Sequence, residues 1–501
     1  MSTFHGIEMA KRALSTQQSA LYTTSHNISN ANTEGYSRQR VNFETSTAYP
    51  AGSRNRPQIP GQLGTGVQAG SVERIRDSFL DLQYRSENSK TTYWETTSKS
   101  LYRMESLLNE PSEGGLANTM DKFWQSLQDL AVNPEDTGAR SVVVQRGIAV
   151  ADSFNYLTGS LESMQSDIRK EIDVTIDDAN SIIRQIDRIN NQIKELEPHG
   201  YLTNDLYDER DRLIDELSGV ANIKVHRVES AESSPDIAAG LTKIELVDDT
   251  GKSYPTPVYL VNPSSTNGST YQEFSLDPSA EVNEIAIGGT VTTLSSGSLK
   301  SLVEVHGYGT PVDPTAANAQ SITFNNMIYN LQQMANEFTE KFNEVHAVGT
   351  DLAGNAGQAF FDFTNNVMSV SQAVIDDPSL IAASSNGSNG NGENALDLAK
   401  VMDTPLADNA LGEDTSIKGF YEGIIGRLGV AAQEANRMAE NTNVLRSQVE
   451  EQRASVSSVS LDEEMSNMIK FQHAYNAAAR SLTAMDEILD RIINNMGLVG
   501  R

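Results

Sequence analysis

Apolar positions recur every seven residues at both ends of the chain. Near the start, Ile7, Leu14, Leu21 and Ile28 form one column, flanked by Ala10, Gln17 and Thr24. Near the end, Met468, Tyr475, Leu482, Leu489 and Met496 form another, beside Phe471, Ala478, Met485 and Ile492. A strict heptad fits a helix wound at ~3.5 residues per turn against a partner. The N-terminal seam pairs one bulky column with a smaller, more polar one. Such a stripe buries too little apolar surface to offset the entropy of ordering a lone helix. The pattern therefore predicts that the terminal helices pair as a coiled coil and that the seams also meet neighbouring copies. The C-terminal helix opens on "SLDEE", where Ser460 caps and Glu463 completes a capping box. Over 461–496 it would be about 54 Å long at ~1.5 Å per residue, closed by Gly497.

Between the ends the pattern changes several times. Asn27, Asn30, Asn32 and Gly35 interrupt the first heptad run, as turn-forming residues do. Residues 41–75 read as extended and loop-like. Helical patterning returns over 77–108 and 115–132. A further helix is expected to open at "NPEDTGAR", with Asn133 as cap and Pro134 in the first turn. It continues to about Leu196, with a break near Gly159 and one face marked by Ile172, Ile176, Ile182, Ile186, Ile189 and Ile193. Another helix fits 202–218. From Val220 onward, "NIKVHRVE", "TKIELVDD", "PVYLV", "YQEFSL" and "NEIAIGGTVTTL" read as short strands between turns. Helix resumes over 317–346 and 418–453, with a low-complexity loop at 384–395. The expected fold is mainly α with an inserted β domain. The terminal coiled coil takes 1–40 with 460–501. A long-helix bundle takes 41–219 with 306–459, and the β-rich outer domain takes 220–305.

Composition supports thin helical seams over one thick core: the chain of 501 residues is 38% hydrophobic and 6% aromatic. Its formal net charge of −29 opposes binding to nucleic acid or anionic membranes. The absence of cysteine excludes disulfides, thiolate metal sites and cysteine nucleophiles. No apolar run approaches the ~18 residues a membrane span needs, so no membrane insertion is expected. The N-terminus has no basic segment leading into an apolar one, so no cleaved secretory signal is expected. The chain is then cytosolic, or exported by a route that removes no signal.

Candidate chemistry is sparse. "TGKS" (250–253) resembles the end of a phosphate loop, but Leu246 stands where the leading glycine belongs, and the stretch reads as a hairpin turn. "GTGVQAG" (64–70) has the wrong spacing for a dinucleotide fingerprint. "DLAGNAGQAFFD" (351–362) fails as a calcium loop at Ala353 and Ala356. No two of the seven histidines share a metal-ligand spacing. Acidic pairs such as Asp177/Asp178 and Asp248/Asp249 are commonplace in so acidic a chain, and the "NIS" and "NGS" sequons read as chance matches. No catalytic, cofactor or metal residue is expected.

The two ends carry a resemblance. "HNISNANTEGYSRQR" (26–40) resembles the N-terminal motif of bacterial flagellar axial proteins: rod, hook and hook-associated proteins. Its "EGYSRQ" ending resembles the hook-associated branch. "SLDEE" and "FQHAYNAAAR" near the C-terminus are similar to the hook-associated protein 1 family of hook–filament junction proteins, as are "SGSLKSLVEV" and "NEVHAVGTDLAGNAGQAFF" in the middle. The resemblance covers about a third of the chain.

It implies a structural, non-enzymatic role in a ring-like helical layer between hook and filament. The implied partners are further copies of the chain, the hook protein, a second junction protein and a cytoplasmic export chaperone. Export would pass through the flagellar type III apparatus, after a transient cytoplasmic stage. Carried onto this sequence, Asn27, Asn30, Asn32, Gly35 and Tyr36 would shape the turn after the inner helix. The two heptad columns would form the assembly seam. Met468, Phe471, Tyr475, Leu482, Met485 and Leu489 would serve the chaperone first and the polymer later. The alternative is an exported wall-modifying enzyme, or an adhesin, carried on the same scaffold.

Overall fold

The computed structural model describes the chain except residues 1–3, 51–53, 55–60, 109–114, 265–269, 277–284, 308–321, 406–410, 412–413 and 496–501. Met496 and Gly497 therefore lie outside the described residues, as do residues 317–321 at the start of the helix expected over 317–346.

Long helices dominate. Helix α1 (Phe4–Ser29) leads into a two-stranded antiparallel ribbon, β1 (Gln39–Thr45) and β2 (Val67–Arg74). Then come α2 (Ser78–Leu108), α3 (Leu116–Val132), α4 (Thr137–Leu196) and α5 (Asn204–Val220). Strands β3 (Ile223–Val228), β4 (Leu241–Leu246) and β5 (Tyr259–Val261) form one antiparallel sheet. Strands β6 (Phe274–Leu276), β7 (Ile285–Ile287) and β8 (Thr290–Thr292) form a second. Helices α6 (Ser298–His306) and α7 (Phe324–Val348) follow, then a hairpin of β9 (Phe361–Thr364) and β10 (Val367–Val370). Helices α8 (Gln372–Asp376), α9 (Glu393–Lys400), α10 (Ile417–Ser457) and α11 (Leu461–Asn495) complete the described fold. It is mostly helical with small sheets.

Helix α4 is the spine. Its 60 residues extend about 90 Å at ~1.5 Å per residue. The isoleucine face is real: Ile172, Ile183, Ile186 and Ile193 are fully buried. The break expected near Gly159 does not occur. Gly159 is exposed, and the burial of Leu157 and Leu161 on either side outweighs the ~1 kcal/mol a mid-helix glycine costs. The cap also differs. Asn133 and Pro134 stand in the preceding turn, and Asp136 caps α4 by accepting from the Gly138 N–H. Arg140, one turn into α4, is buried and donates to the carbonyls of Pro134, Pro378, Ser379 and Ile381. That ties the helix start to the chain after α8.

At the same end, Phe123, Phe338, Phe342, Phe360 and Phe361 pack ring against ring, with centroids 4.7–6.4 Å apart. A β-carbon at Gly147 of α4 would meet the Phe360 ring at 2.9 Å, so this crossing requires glycine. Further along α4, Asn190 and Asn180 reach into the two three-stranded sheets. Asn190 pairs with the Thr242 backbone and Asn180 with the Phe274 backbone, each as donor and acceptor. "TGKS" is the expected turn: Asp248 accepts from Thr250 N, Thr250 Oγ1 and Lys252 N.

Candidate assembly interface

The two ends of the chain lie side by side. Helix α1 runs along α11 in the opposite direction: Asn27 meets Glu464, and Gly6 meets the Met485 side chain. The fully buried column of α1 is made of small and polar residues, Ala10, Thr16, Ala20, Thr23, Thr24 and Asn27. Ile7, Leu14, Leu21 and Ile28 flank that column and are half-buried. The reason is a second neighbour. The β1–β2 ribbon also packs on α1, and the Thr16 hydroxyl donates to the Val67 carbonyl on β2. Small residues let the ribbon approach closely. On α11, Leu489 is buried, Met468, Phe471, Tyr475 and Leu482 are half-buried, and Met485 is 37% exposed. Phe471 packs edge-on against Phe43 of β1 at 5.9 Å. Several apolar residues on the same helices are left in solvent, among them Phe4, Met465, Ile469, Ile488 and Ile493.

Asn27 organises the turn after α1. Its Nδ2 donates to the Gln39 carbonyl at 2.8 Å and to Glu464 Oε2 at 3.2 Å. Its Oδ1 accepts from Gln39 N at 3.0 Å and from the Tyr36 hydroxyl at 2.7 Å. A primary amide has two donors and two acceptor lone pairs, so every site is used. Since Tyr36 spends its proton on Asn27, His26 Nδ1, 3.0 Å from the Tyr36 oxygen, must be the donor there. Burial and the charges of Asp208, Asp205 and Glu464 push the Tyr36 hydroxyl well above its ordinary range, which keeps that proton in place. Asn30 folds back on the His26 carbonyl, and Gly35 takes φ 79°, a left-handed conformation glycine adopts without strain. Asn32 is exposed and has no part in the hub.

Arg38 carries the turn across to the other terminus. Its guanidinium pairs with Glu464 and Glu463, each at 2.8 Å, and its backbone N–H donates to the Ser457 carbonyl at the end of α10. Both glutamates sit in the first turn of α11, where the helix dipole also favours them.

Below the hub lies an arginine–aspartate network that the sequence reading did not anticipate. Helix α5 presents Asp205, Asp208, Asp211 and Asp215 along one side. Asp205 accepts from Gln39 Nε2, and Asp208 accepts from Ser37 N. Arg74 bridges Asp208 and Asp211 at 2.8 and 2.9 Å. Arg76 grips Asp81 with two bonds of 2.8 Å, Arg85 meets Asp215 at 2.7 Å, and Arg453 of α10 reaches both Asp81 and Asp215. Burial alone would raise the Asp211 carboxyl, but Arg76, Arg74, Arg85 and Arg210 outweigh it and hold it well below the usual range. The network locks the ribbon, α2, α5 and α10 to one another at the base of the terminal helices. Its one local signal was the three- and four-residue spacing of aspartates in "DLYDERDRLID".

Three family models match in separate stretches. Residues 101–361 match the flagellar hook-associated protein FlgK helical domain. Residues 7–36 match the flagella basal body rod protein model, and 451–496 the C-terminal model of the flagellar basal body rod FlgEFG proteins. A relative named flagellar hook-associated protein 1, from Bacillus subtilis strain 168, is 43% identical over 520 residues, covering 100% of each chain. This chain belongs to the flagellar hook-associated protein 1 family. A family member from Escherichia coli K12 is 24% identical over 553 residues, covering 97% of this chain and 99% of its own. The solved structure of a flagellar hook junction protein from Burkholderia pseudomallei shares the fold, with a TM-score of 0.55 and 13% identity, over 75% of this chain and 100% of that one.

The two rod-type matches coincide with the elements that carry the hub. The first ends at Tyr36, and the second includes Glu463 and Glu464. Family membership makes the chain a structural flagellar protein, and nothing in the comparisons favours the enzyme reading. Among the described residues no cluster of His, Asp and Glu is arranged to hold a metal ion, and no helix is long and apolar enough to cross a membrane.

Proposed function

We propose that the chain forms the layer that joins hook to filament, and that its terminal helices carry the assembly. The observation that carries this reading is the unfinished packing of α1 and α11. They cover one face of each other, yet Phe4, Met465, Ile469, Ile488 and Ile493 remain exposed. A helix pair with apolar residues on its outer side gains stability by packing on further copies. The seam of Ile7, Leu14, Leu21, Ile28, Met468, Tyr475, Leu482, Leu489 and Met496 would then be shared between the intramolecular pair and neighbouring subunits, as a coiled coil extended through the layer.

In this reading the hub at Asn27 and the aspartate network fix the angle at which the terminal pair leaves the helical body. The bundle over 41–219 with 306–459 is the middle domain, and 220–305 is an outer β-rich domain. Export proceeds through the flagellar type III apparatus. A cytoplasmic chaperone holds Met468, Phe471, Tyr475, Leu482, Met485 and Leu489 until release, because one apolar face can serve two partners that bind at different times. In place, the layer contacts hook protein on one side and a second junction protein on the other. The role requires no catalysis and no cofactor.

Leu482→Asp tests the seam. It places a charge on a half-buried seam position without touching the bundle core. It should abolish filament growth and chaperone capture while the thermal transition of the bundle stays within ~2 °C of wild type. Normal motility and filament length in this variant would refute the seam.

A further inference from the structure

A cleft of about 650 Å³ opens beside the aspartate network, between β2, the start of α2, α5 and strands β3 and β4. One wall holds Arg74, Arg76 and Arg85, whose carboxylate partners are the aspartates described above. The other wall carries Arg210, Arg227 and Lys224, none of which forms an ion pair among the described residues. Arg210 of α5 donates to the Gly240 carbonyl at 2.7 Å and reaches Asn190 Oδ1 at 3.3 Å, but among the described residues no carboxylate lies within ion-pair distance of it. Asp211 and, more weakly, the buried Glu197 act on Arg210 through their fields; Asp211 is engaged by Arg74, Arg76 and Arg85, and Glu197 is held by the Tyr207 and Ser230 hydroxyls and the Gly240 N–H. Arg227 donates to the backbone carbonyls of Asp236 and Ala238. Lys224 stands across the strand from Glu245, which is engaged by His226 at 2.7 Å.

Two guanidinium nitrogens on this cleft lack hydrogen-bond acceptors. Arg210 Nε and Arg85 Nη2 are both buried without one. Arg85 Nη2 has only an ion-pair contact at 3.5 Å, to Asp211 Oδ1. The two residues are 2% and 6% exposed. Leaving a buried N–H of a charged group unpaired costs a folded chain stability, and guanidinium forks match carboxylate geometry. Burial draws the Arg210 guanidinium down to about 10, against the opposing fields of Asp211 and Glu197, so it stays charged at neutral pH with no carboxylate bonded to it. At the mouth, Leu82 and Ile237 are 45% and 49% exposed. The cleft lining thus sets six basic side chains against three acidic ones, Glu73, Asp81 and Asp211, behind apolar lips, in a chain whose net charge is −29.

We propose that this cleft is a carboxylate-binding site, filled in the assembled layer by an acidic surface segment of a second copy of the chain. The charge balance favours that source: a copy has 67 acidic against 38 basic residues, so carboxylates outnumber cations among its charged groups. The second-copy clause rests on the assembly reading above; the carboxylate clause does not.

Two arms test it with the full-length chain. In the first, sodium citrate is titrated calorimetrically into the monomer at constant ionic strength. Saturable binding is expected, weakened at least tenfold in the Lys224→Gln/Arg227→Gln double variant and unchanged in Lys170→Gln, which removes an exposed lysine on α4. No saturable binding, or equal weakening by the Lys170 control, overturns the site. In the second arm, a photo-crosslinking residue replaces Ile237 in assembled flagella. An adduct to an acidic segment of a second copy is expected. With citrate binding intact, adducts only to other flagellar proteins, or none, overturn the second-copy clause alone.

Discussion

Asn27 shows how much one side chain can decide. Its amide bonds both backbone groups of Gln39, so it acts as a short piece of strand at the end of a helix, and its remaining donor reaches Glu464 on the other terminus. Asn27→Leu would leave those buried groups unpaired, at a cost of ~2 kcal/mol or more. The Gln39 amide should then exchange with solvent at least ~30-fold faster, measured by hydrogen exchange with mass spectrometry. A second expectation concerns His346. Its Nε2 accepts from Ala382 N at 2.9 Å, and its Nδ1–H faces the Gln358 carbonyl. Burial lowers it to about 4. A base whose folded value lies below its unfolded value of ~6.5 binds fewer protons when folded, so stability is lost as pH falls from ~6.5 towards 4, by ~3 kcal/mol at most. His346→Gln should flatten the stability curve between pH 6.5 and 4 in urea titrations. An imidazole resonance for His346 that titrates near 6.5 would contradict this. The role of Asn27 within its motif was legible only as "turn former", because its partners are backbone groups that no residue spacing encodes.

At the scale of elements, periodicity identified nearly every long helix but not which column α1 buries most deeply. The bulky heptad column of α1 is half-buried because α1 faces the ribbon as well as α11, and the close approaches fall on alanine and threonine. The ribbon itself reads as loop in sequence, since proline and glycine separate its strands. The aspartates of α5 meet arginines more than a hundred residues away, so their pairing belongs to the fold and not to local pattern. Asp211→Asn should therefore cost ~3 kcal/mol at pH 7. Its carboxyl is depressed in the folded state, so its stabilising effect is complete above the unfolded value of ~3.9 and fades as pH falls below it. Asp208 works in the opposite sense: burial outweighs Arg74 and raises it, so its charged form costs stability at neutral pH. The difference between wild type and Asp211→Asn should shrink between pH 5 and 2. A gap of constant size would refute the assignment of Asp211.

At the scale of the whole molecule, stability is unevenly spread. The bundle closes around α4 and its phenylalanine cluster. The terminal pair hangs from the hub at Asn27, Arg38 and Glu464 and keeps apolar residues in solvent. In the dilute monomer, amide exchange should be slow along α4, faster in α1 and α11, and fastest in the half of α11 beyond Tyr475, with protection there rising once the layer assembles. The same division explains what sequence could and could not reveal. Short motifs at the two ends carry the family because they build the joint. The cationic cleft is assembled from β2, α2, α5 and β3, and no single stretch announces it.

The most direct test of the junction role is electron microscopy of cells that make this chain, before and after its removal. Without it, hooks should end bare and flagellin should collect in the medium, and the full-length chain supplied in trans should restore filaments. Filaments of normal length on hooks that lack the chain would contradict the account.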